Sequence, residues 1–224
     1  LAREVVNAGG IVLGSGANPV PLPSVLLATS MASGHSAIAS GDILRFDVSA
    51  LAQSWAILVF FSCLLCGVLM GKIVQLAEPR RWVIWVVAAG GSFVPLSWFV
   101  SGYPLEFGFF NAQVTIPVLF ASILLFLYLD SAPRIVVCLL ALSSTLIFAT
   151  WSPLALIPVC LALLALIKHW RDIVAARGWE LVALLLALSQ LLAYLILFVL
   201  PGYLSLSGLL VAGGGIYDFN KLVL

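Results

Sequence analysis

Long apolar runs separated by short polar segments fill the chain between residues 48 and 200. A helix needs about 20 predominantly apolar residues to cross a bilayer. The pattern therefore predicts an all-α, polytopic membrane protein with about six transmembrane helices. The predicted spans are 48–70, 82–100, 113–129, 135–150, 154–167 and 179–200.

Two of these spans depend on interpreting residues 135–167 as a hairpin. A single straight helix over that stretch would be about 50 Å long, too long for a hydrocarbon core of about 30 Å. The sequence Thr150-Trp-Ser-Pro153 interrupts the apolar run and predicts a turn. A kink is also expected in the second span, at Pro95 and the Gly90-Gly91 pair.

The two flanks differ from the apolar centre. Residues 1–47 are rich in Gly and Pro and contain a moderately apolar run, 24–38, which predicts an interfacial helix with Ser24 as its N-cap. Residues 201–224 are again Gly-rich. We therefore divide the chain into an outer segment (1–47), a transmembrane bundle (48–200) and a second outer segment (201–224). Because the sequence starts at Leu1 and stops in mid-pattern, we expect the chain to be a fragment of a longer protein.

Composition supports the membrane class. The chain is 63% hydrophobic and 8% charged, with a mean hydropathy of +1.22, whereas soluble domains carry about 25% charged residues. Such a chain cannot cover a water-facing surface, and the lipid bilayer is its expected partner. The ten basic residues are too few and too scattered to bind nucleic acid.

Charge predicts the orientation. With six spans, the segments 71–81, 130–134 and 168–178 share one side and hold seven Lys and Arg, whereas the other segments hold three. The positive-inside rule places the seven in the cytoplasm and both chain ends, with the 101–112 loop, outside. A single helix over 135–167 would separate Arg134 from Lys168, so the count also favours the hairpin.

The segment 100–112 is the most unusual connector in the sequence. It carries three phenylalanines, a tyrosine and one acid, Glu106, but no Lys or Arg. An acid at the bilayer edge could act as a general base, hold a metal or bind a sugar hydroxyl, and partial desolvation would raise its pKa. The alternative is a solvated loop acid. Glu106 is the candidate catalytic residue.

Three further residues are candidate substrate-binding groups on the predicted outer side. His35 could contact a phosphate, and Arg45 and Lys221 could bind a phosphate or pyrophosphate if they converge. On the inner side, Lys168, His169 and Arg171 suit anionic lipid headgroups. The four cysteines lie inside apolar runs and are interpreted as small apolar residues, so we predict no metal site, and no cofactor can be specified.

Several short motifs resemble those of bacterial GT-C-type membrane glycosyltransferases. They are a Pro-containing outer segment with a histidine (21–38), Gly102-Tyr103-Pro104 ahead of Asn111, and Thr150-Trp-Ser-Pro153. The resemblance implies an enzyme of the bacterial plasma membrane that transfers a sugar from a polyprenyl-phosphate donor on the outer face. The family's catalytic acid matches no residue here. A transporter or flippase component and a non-catalytic membrane scaffold are the alternatives.

Overall fold

The computed structural model describes residue 6 and residues 21–35, 42–77, 80–102 and 110–199. Regular structure in these ranges is entirely helical, which confirms the predicted all-α class. The α-helices are α1 (Pro21–His35), α2 (Ile43–Ala77), α3 (Arg81–Gly91), α4 (Phe110–Phe126), α5 (Pro133–Trp151), α6 (Leu156–Lys168), α7 (Trp170–Val174) and α8 (Trp179–Tyr194). Short 3-10 turns lie at Val94–Leu96 and Ser152–Ala155, and π turns at Trp98–Gly102 and Leu195–Val199.

Helix α5 is the centre of the bundle. It packs against α1, α4, α6, α7 and α8, while α2 packs against α1, α3 and α4. Over its most apolar stretch, 56% of α5 is buried, against 28% or less in the other long helices. Its inner face supplies Val137, Leu140 and Ile147, none of which is exposed. Helices α1, α4, α6, α7 and α8 therefore surround α5, whereas α2 packs on α1 and α4, and α3 packs on α2.

The chain reverses between α5 and α6, as the sequence predicts. Helix α5 is about 28 Å long, at 1.5 Å per residue. Yet Lys168, at the end of α6, lies 2.6 Å from Asp130, which precedes α5. Only a turn at Ser152–Ala155 brings these residues together. The predicted break in the 135–167 run is confirmed.

Four helical segments within the described ranges are long and apolar enough to cross a bilayer: Arg45–Ala77, Arg81–Gly102, Pro133–Trp151 and Trp179–Leu197. Helices α4 and α6 are apolar but shorter. The outer surface carries large exposed apolar side chains, such as Phe60, Trp85 and Leu186. A water-facing surface does not carry apolar side chains at this density, so the helices have the lengths and surface expected in lipid.

Helix α2 is longer than the predicted span and begins earlier. It has 35 residues, or about 52 Å. Asp47 lies inside it, because the amide of Phe46 already donates to the carbonyl of Asp42 at 3.0 Å. Asp47 is also buried, at 4% exposure. Hydropathy marks the stretch that suits lipid, whereas the helix continues through polar residues with good helix propensity.

Helix α1 also begins earlier than expected. It starts at Pro21, so Ser24 lies within its first turns and is not the N-cap. Prolines are tolerated there because the first helical N–H groups have no intrahelical acceptor. Ala28 and Met31 are buried, and the hydroxyl of Ser30 lies 3.4 Å from that of Ser54 on α2. One side of α1 is thus packed on the bundle.

Glycines allow α2 and α3 to approach closely. A Cβ added at Gly67 would lie 2.9 Å from the carbonyl oxygen of Ala88, and one at Gly91 would lie 2.7 Å from Cγ of Met70. Small residues at such contacts let helix backbones pack in lipid, where no hydrophobic effect drives them together. Helix α3 ends at Gly91, and the chain bends through the 3-10 turn containing Pro95. The kink predicted at these residues is confirmed.

We predict that Gly67→Ala destabilises the bundle by about 1–3 kcal/mol, because the new methyl group meets backbone that cannot move aside. The matched control is Gly90→Ala on α3, where an added Cβ meets no atom within 4 Å. This control should be neutral or stabilising by up to about 1 kcal/mol through helix propensity. Unfolding of the purified protein in detergent measures both. Equal stability of the two variants would contradict the close α2–α3 contact.

Candidate functional site

The four residues predicted to form a site are only partly described. Glu106 and Lys221 lie outside the described residues, so their roles stay predictions. His35 is the last residue of α1, and its side chain is outside the description. Arg45 is exposed in the first turn of α2. His35 and Arg45 therefore lie at the joined ends of two packed helices, which keeps both near the predicted outer segment.

A buried hydroxyl pair joins α4 to α5. The hydroxyl of Thr115 lies 2.7 Å from that of Thr150 and 2.9 Å from the carbonyl oxygen of Asn111. Thr150 donates in turn to the carbonyl of Ile147 at 3.1 Å. Both threonines have no exposed surface. This contact fixes the start of α4 against the end of α5.

The side chain of Gln113 is buried, and its polar atoms have no hydrogen-bond partner within the described part of the protein. Its side chain has no exposed surface, and neither amide atom has a hydrogen-bond partner among the described residues. Leaving a buried amide unsatisfied costs about 1–3 kcal/mol. Pro117 adds a third polar atom, because it has no N–H to donate to the carbonyl of Gln113 four residues earlier. Gln113 therefore has two side-chain atoms without a partner among the described residues and a backbone carbonyl without its usual helical donor.

The indole of Trp151 lies at the same level of the bundle. It follows Thr150 directly, and its N–H is buried without an acceptor in the described part of the chain. We call Gln113, Thr115, Thr150 and Trp151, all near this end of the bundle, the polar cluster. Gln113 and Thr115 are two residues apart, so their side chains leave different sides of α4, and the hydrogen bond within the cluster joins Thr115 to Thr150. Trp55 of α2 packs against Phe110 at this end, with ring centroids 5.7 Å apart. The polar cluster therefore lies where α2, α4 and α5 meet.

The opposite end of the bundle carries the charged turns, and we call it the basic end. Its connectors, 72–81, 127–134 and 168–180, hold seven Lys and Arg and four Asp and Glu. Lys72 of α2 lies over the ring of Tyr128, with Nζ 4.8 Å from the centroid. This contact places the end of α2 beside the turn that precedes α5.

Asp130 and His169 form the centre of an ionic network at the basic end. Asp130 accepts from Nζ of Lys168 at 2.6 Å, and Nε2 of His169 lies 2.9 Å from the same oxygen. Nδ1 of His169 lies 3.1 Å from Oδ2 of Asp172. Hydrogen bonds to Asp172 and Asp130 raise the pKa of His169, and those from Lys168 and His169 lower the pKa of Asp130. The charged imidazolium can donate from both nitrogens at once.

Arg134 extends this network to α7 and α8. Its Nε donates to the backbone carbonyl of Asp172 at 2.8 Å, and its guanidinium forms an ion pair with Glu180. Each acid at the basic end that the structure describes therefore has a basic partner on another element or turn. The network holds the ends of α5, α6 and α8 together.

No known protein family, curated protein or solved structure matches this chain. A functional assignment therefore rests on the residues themselves. Within the described ranges, no group of three His, Cys, Asp or Glu could hold a metal ion. All four cysteines are free thiols.

Sequence reasoning missed the polar cluster and the ionic network. Gln113 lies at the predicted start of a span, and its burial depends on how other helices pack around α4, which the local pattern does not show. The network had a detectable signal. The hairpin placed Arg134 and Lys168 on one side, where Asp130, Asp172 and Glu180 are the nearest acids in sequence.

We predict that the stability supplied by the basic end falls as the pH rises through the pKa of His169. A raised folded-state pKa means that the contribution is complete below the ordinary value of about 6.5 and is lost above the folded-state value. Asp130, with a lowered pKa, contributes above its ordinary value and loses this only in acid. Thermal unfolding in detergent between about pH 5 and 9 measures the dependence.

His169→Gln should flatten this pH dependence, because glutamine does not titrate. His35→Gln, which alters the only other histidine in the chain, should retain the slope of the wild type. A His169→Gln protein with an unchanged slope would show that the imidazolium does not stabilise this end.

Proposed function

We propose that this chain is an integral membrane protein with about six membrane crossings, formed by α2, α3 with its two turns, α4, α5, α6 and α8. The contacts of Lys168 with Asp130 and of Lys72 with Tyr128 support alternating helix directions. In this arrangement the basic end faces the cytoplasm, by the positive-inside rule. Helix α1 then lies at the outer edge of the membrane, against the first half of α2.

We further propose that the polar cluster binds the hydrogen-bonding part of a lipid-linked sugar at the end opposite the basic end. The observation that carries this proposal is Gln113, which keeps a donor and an acceptor unsatisfied at zero exposure. An amide offers both kinds of partner to sugar hydroxyls. Buried polar groups without partners are rare, and an ordered water, an ion or a ligand group can complete their hydrogen bonds.

The activity proposed for this site is GT-C-like transfer of a sugar from a polyprenyl-phosphate donor. Two of the segments that carry the resemblance to those enzymes meet at this end, because Thr115 contacts both Asn111 and Thr150. Glu106 precedes α4 by four residues in the sequence and is the proposed general base. His35, Arg45 and Lys221 are the proposed phosphate contacts.

The hydroxyls within the apolar helices weigh against the transporter alternative. A transport pathway needs polar side chains that face one another. Instead, four of these hydroxyls donate to carbonyls of their own helix, four residues earlier in each case: Ser62, Ser122, Ser144 and Thr145. Their hydrogen-bonding capacity is used locally and does not line a path.

We predict that Gln113→Leu makes the unliganded protein more stable, by about 1–3 kcal/mol, because it removes an unsatisfied buried amide. The same change should abolish binding of a polyprenyl-phosphate sugar, measured by retention of a radiolabelled analogue in detergent. Gln190→Leu is the matched control, because Gln190 is exposed on α8 and should leave binding unchanged. Loss of stability together with intact binding would show that Gln113 has only a packing role.

We also predict that Glu106→Gln lowers the rate of sugar transfer by about 10²–10⁴-fold, the usual contribution of a general base. The assay is transfer from a polyprenyl-phosphate sugar in proteoliposomes containing the longest available form of the protein. Asp42→Asn is the control, because Asp42 is an exposed acid just before α2. An unchanged rate for Glu106→Gln would make Glu106 a solvated loop acid, and an inactive wild type would favour the scaffold alternative.

A further inference from the structure

A groove lies between α5 and α8 at the basic end. Its volume is about 160 Å³, and it is lined by Arg134, Ile135, Cys138, Leu139, Trp179, Glu180 and Ala183. The residues fall into two levels, because Arg134 and Glu180 stand near the first turns of the two helices and Cys138 and Ala183 lie about one turn deeper. The groove therefore has a charged mouth and an apolar interior.

The depth of the apolar part follows from helix geometry. One turn of each helix advances about 5.4 Å along its axis, away from the charged turns. Cys138 and Ala183 are in contact there, with Sγ 3.6 Å from the carbonyl oxygen of Ala183. Ile135 and Leu139 are exposed at 49% and 37% respectively, so one side of the groove is open. In a membrane, this opening faces the acyl chains of the surrounding lipid.

The mouth carries one cation, Arg134, and one anion, Glu180, and the neighbouring connector adds two exposed arginines. Arg134 uses Nε and one terminal nitrogen for Asp172 and Glu180, which leaves part of its five-donor fork to other acceptors. Arg171 and Arg177 are exposed on the connector that leads into α8. Trp179, exposed at 70%, stands beside the mouth, where indole rings favour the headgroup level.

We propose that this groove binds an anionic phospholipid, with part of one acyl chain between α5 and α8 and the phosphate at the Arg134 mouth. The order of groups along the groove, cations first and apolar surface one turn deeper, is the order along a lipid molecule. Arg171 and Arg177 complement the negative headgroup, at about 1 kcal/mol for each cation near an anionic surface. The site is separate from the polar cluster and does not rest on sugar transfer.

The internal ion pair gives this site a specific behaviour. Glu180 competes with a lipid phosphate for the guanidinium of Arg134, because both are anionic acceptors. Removing the Glu180 charge should therefore strengthen retention of anionic lipid while leaving the apolar part of the groove intact. A groove that merely collects acyl chains would not respond to this change.

The test is native mass spectrometry of the purified protein with phosphatidylglycerol or phosphatidylcholine added in equal amounts. We expect the wild type to retain phosphatidylglycerol in preference. Ala183→Phe fills the groove and should weaken retention about tenfold, the loss expected when about two methylene groups leave an apolar site. Val182→Phe is the matched control, because Val182 is exposed on the same helix but does not line the groove.

Further variants and a soluble headgroup test the same groove if the Ala183→Phe protein folds poorly. Glu180→Gln should increase the preference for phosphatidylglycerol, whereas the combined Arg171→Gln and Arg177→Gln change should reduce it by about fivefold or more. Glycerophosphoglycerol, which has the headgroup without acyl chains, should not displace the lipid. Equal retention of both lipids, or no response to Glu180→Gln, would overturn the proposal.

Discussion

A helix in a bilayer must satisfy its polar groups within the protein, because hydrocarbon offers no hydrogen-bond partner. This constraint explains why the hydroxyls of Ser62, Ser122 and Ser144 each bond back to a carbonyl of their own helix. It also explains the Thr115–Thr150 contact, which uses two hydroxyls to join α4 and α5 with no polar group turned towards lipid. Against this background, the unsatisfied amide of Gln113 and the unsatisfied indole N–H of Trp151 are departures from this rule.

The polar side chains at the two ends of the bundle find partners in different ways. At the basic end, Asp130, Asp172 and Glu180 each face a cation or an imidazole from another turn or helix, so the charges bind the helix ends together. These groups are largely exposed, and salt and water screen them, so their main effect is to set geometry. At the other end, the buried groups are neutral and incompletely paired.

The sequence predicted those features that depend on local pattern. The reversal near Trp151 follows from the length of the apolar run and from the shared side of Arg134 and Lys168, and the kink near Pro95 follows from backbone chemistry. The length of α2 could not be predicted from hydropathy. Hydropathy indicates which residues suit a lipid environment, whereas the helix continues through polar residues on both sides of that stretch. The burial of Asp47 and Gln113 could not be predicted either, since burial depends on how the helices pack and the local pattern does not show this.

The composition of α4 favours a binding role for Gln113 over a packing accident. Leucine at position 113 would fill a similar volume without unsatisfied atoms, and a non-proline residue at 117 would restore the missing backbone donor. Each change would remove an unsatisfied buried group and so stabilise a chain that had only to fold. Both unfavourable choices occur one turn apart, in a fully buried part of the helix. Two unfavourable residues close together are expected at a binding site, because recognition there can require residues that lower the stability of the fold.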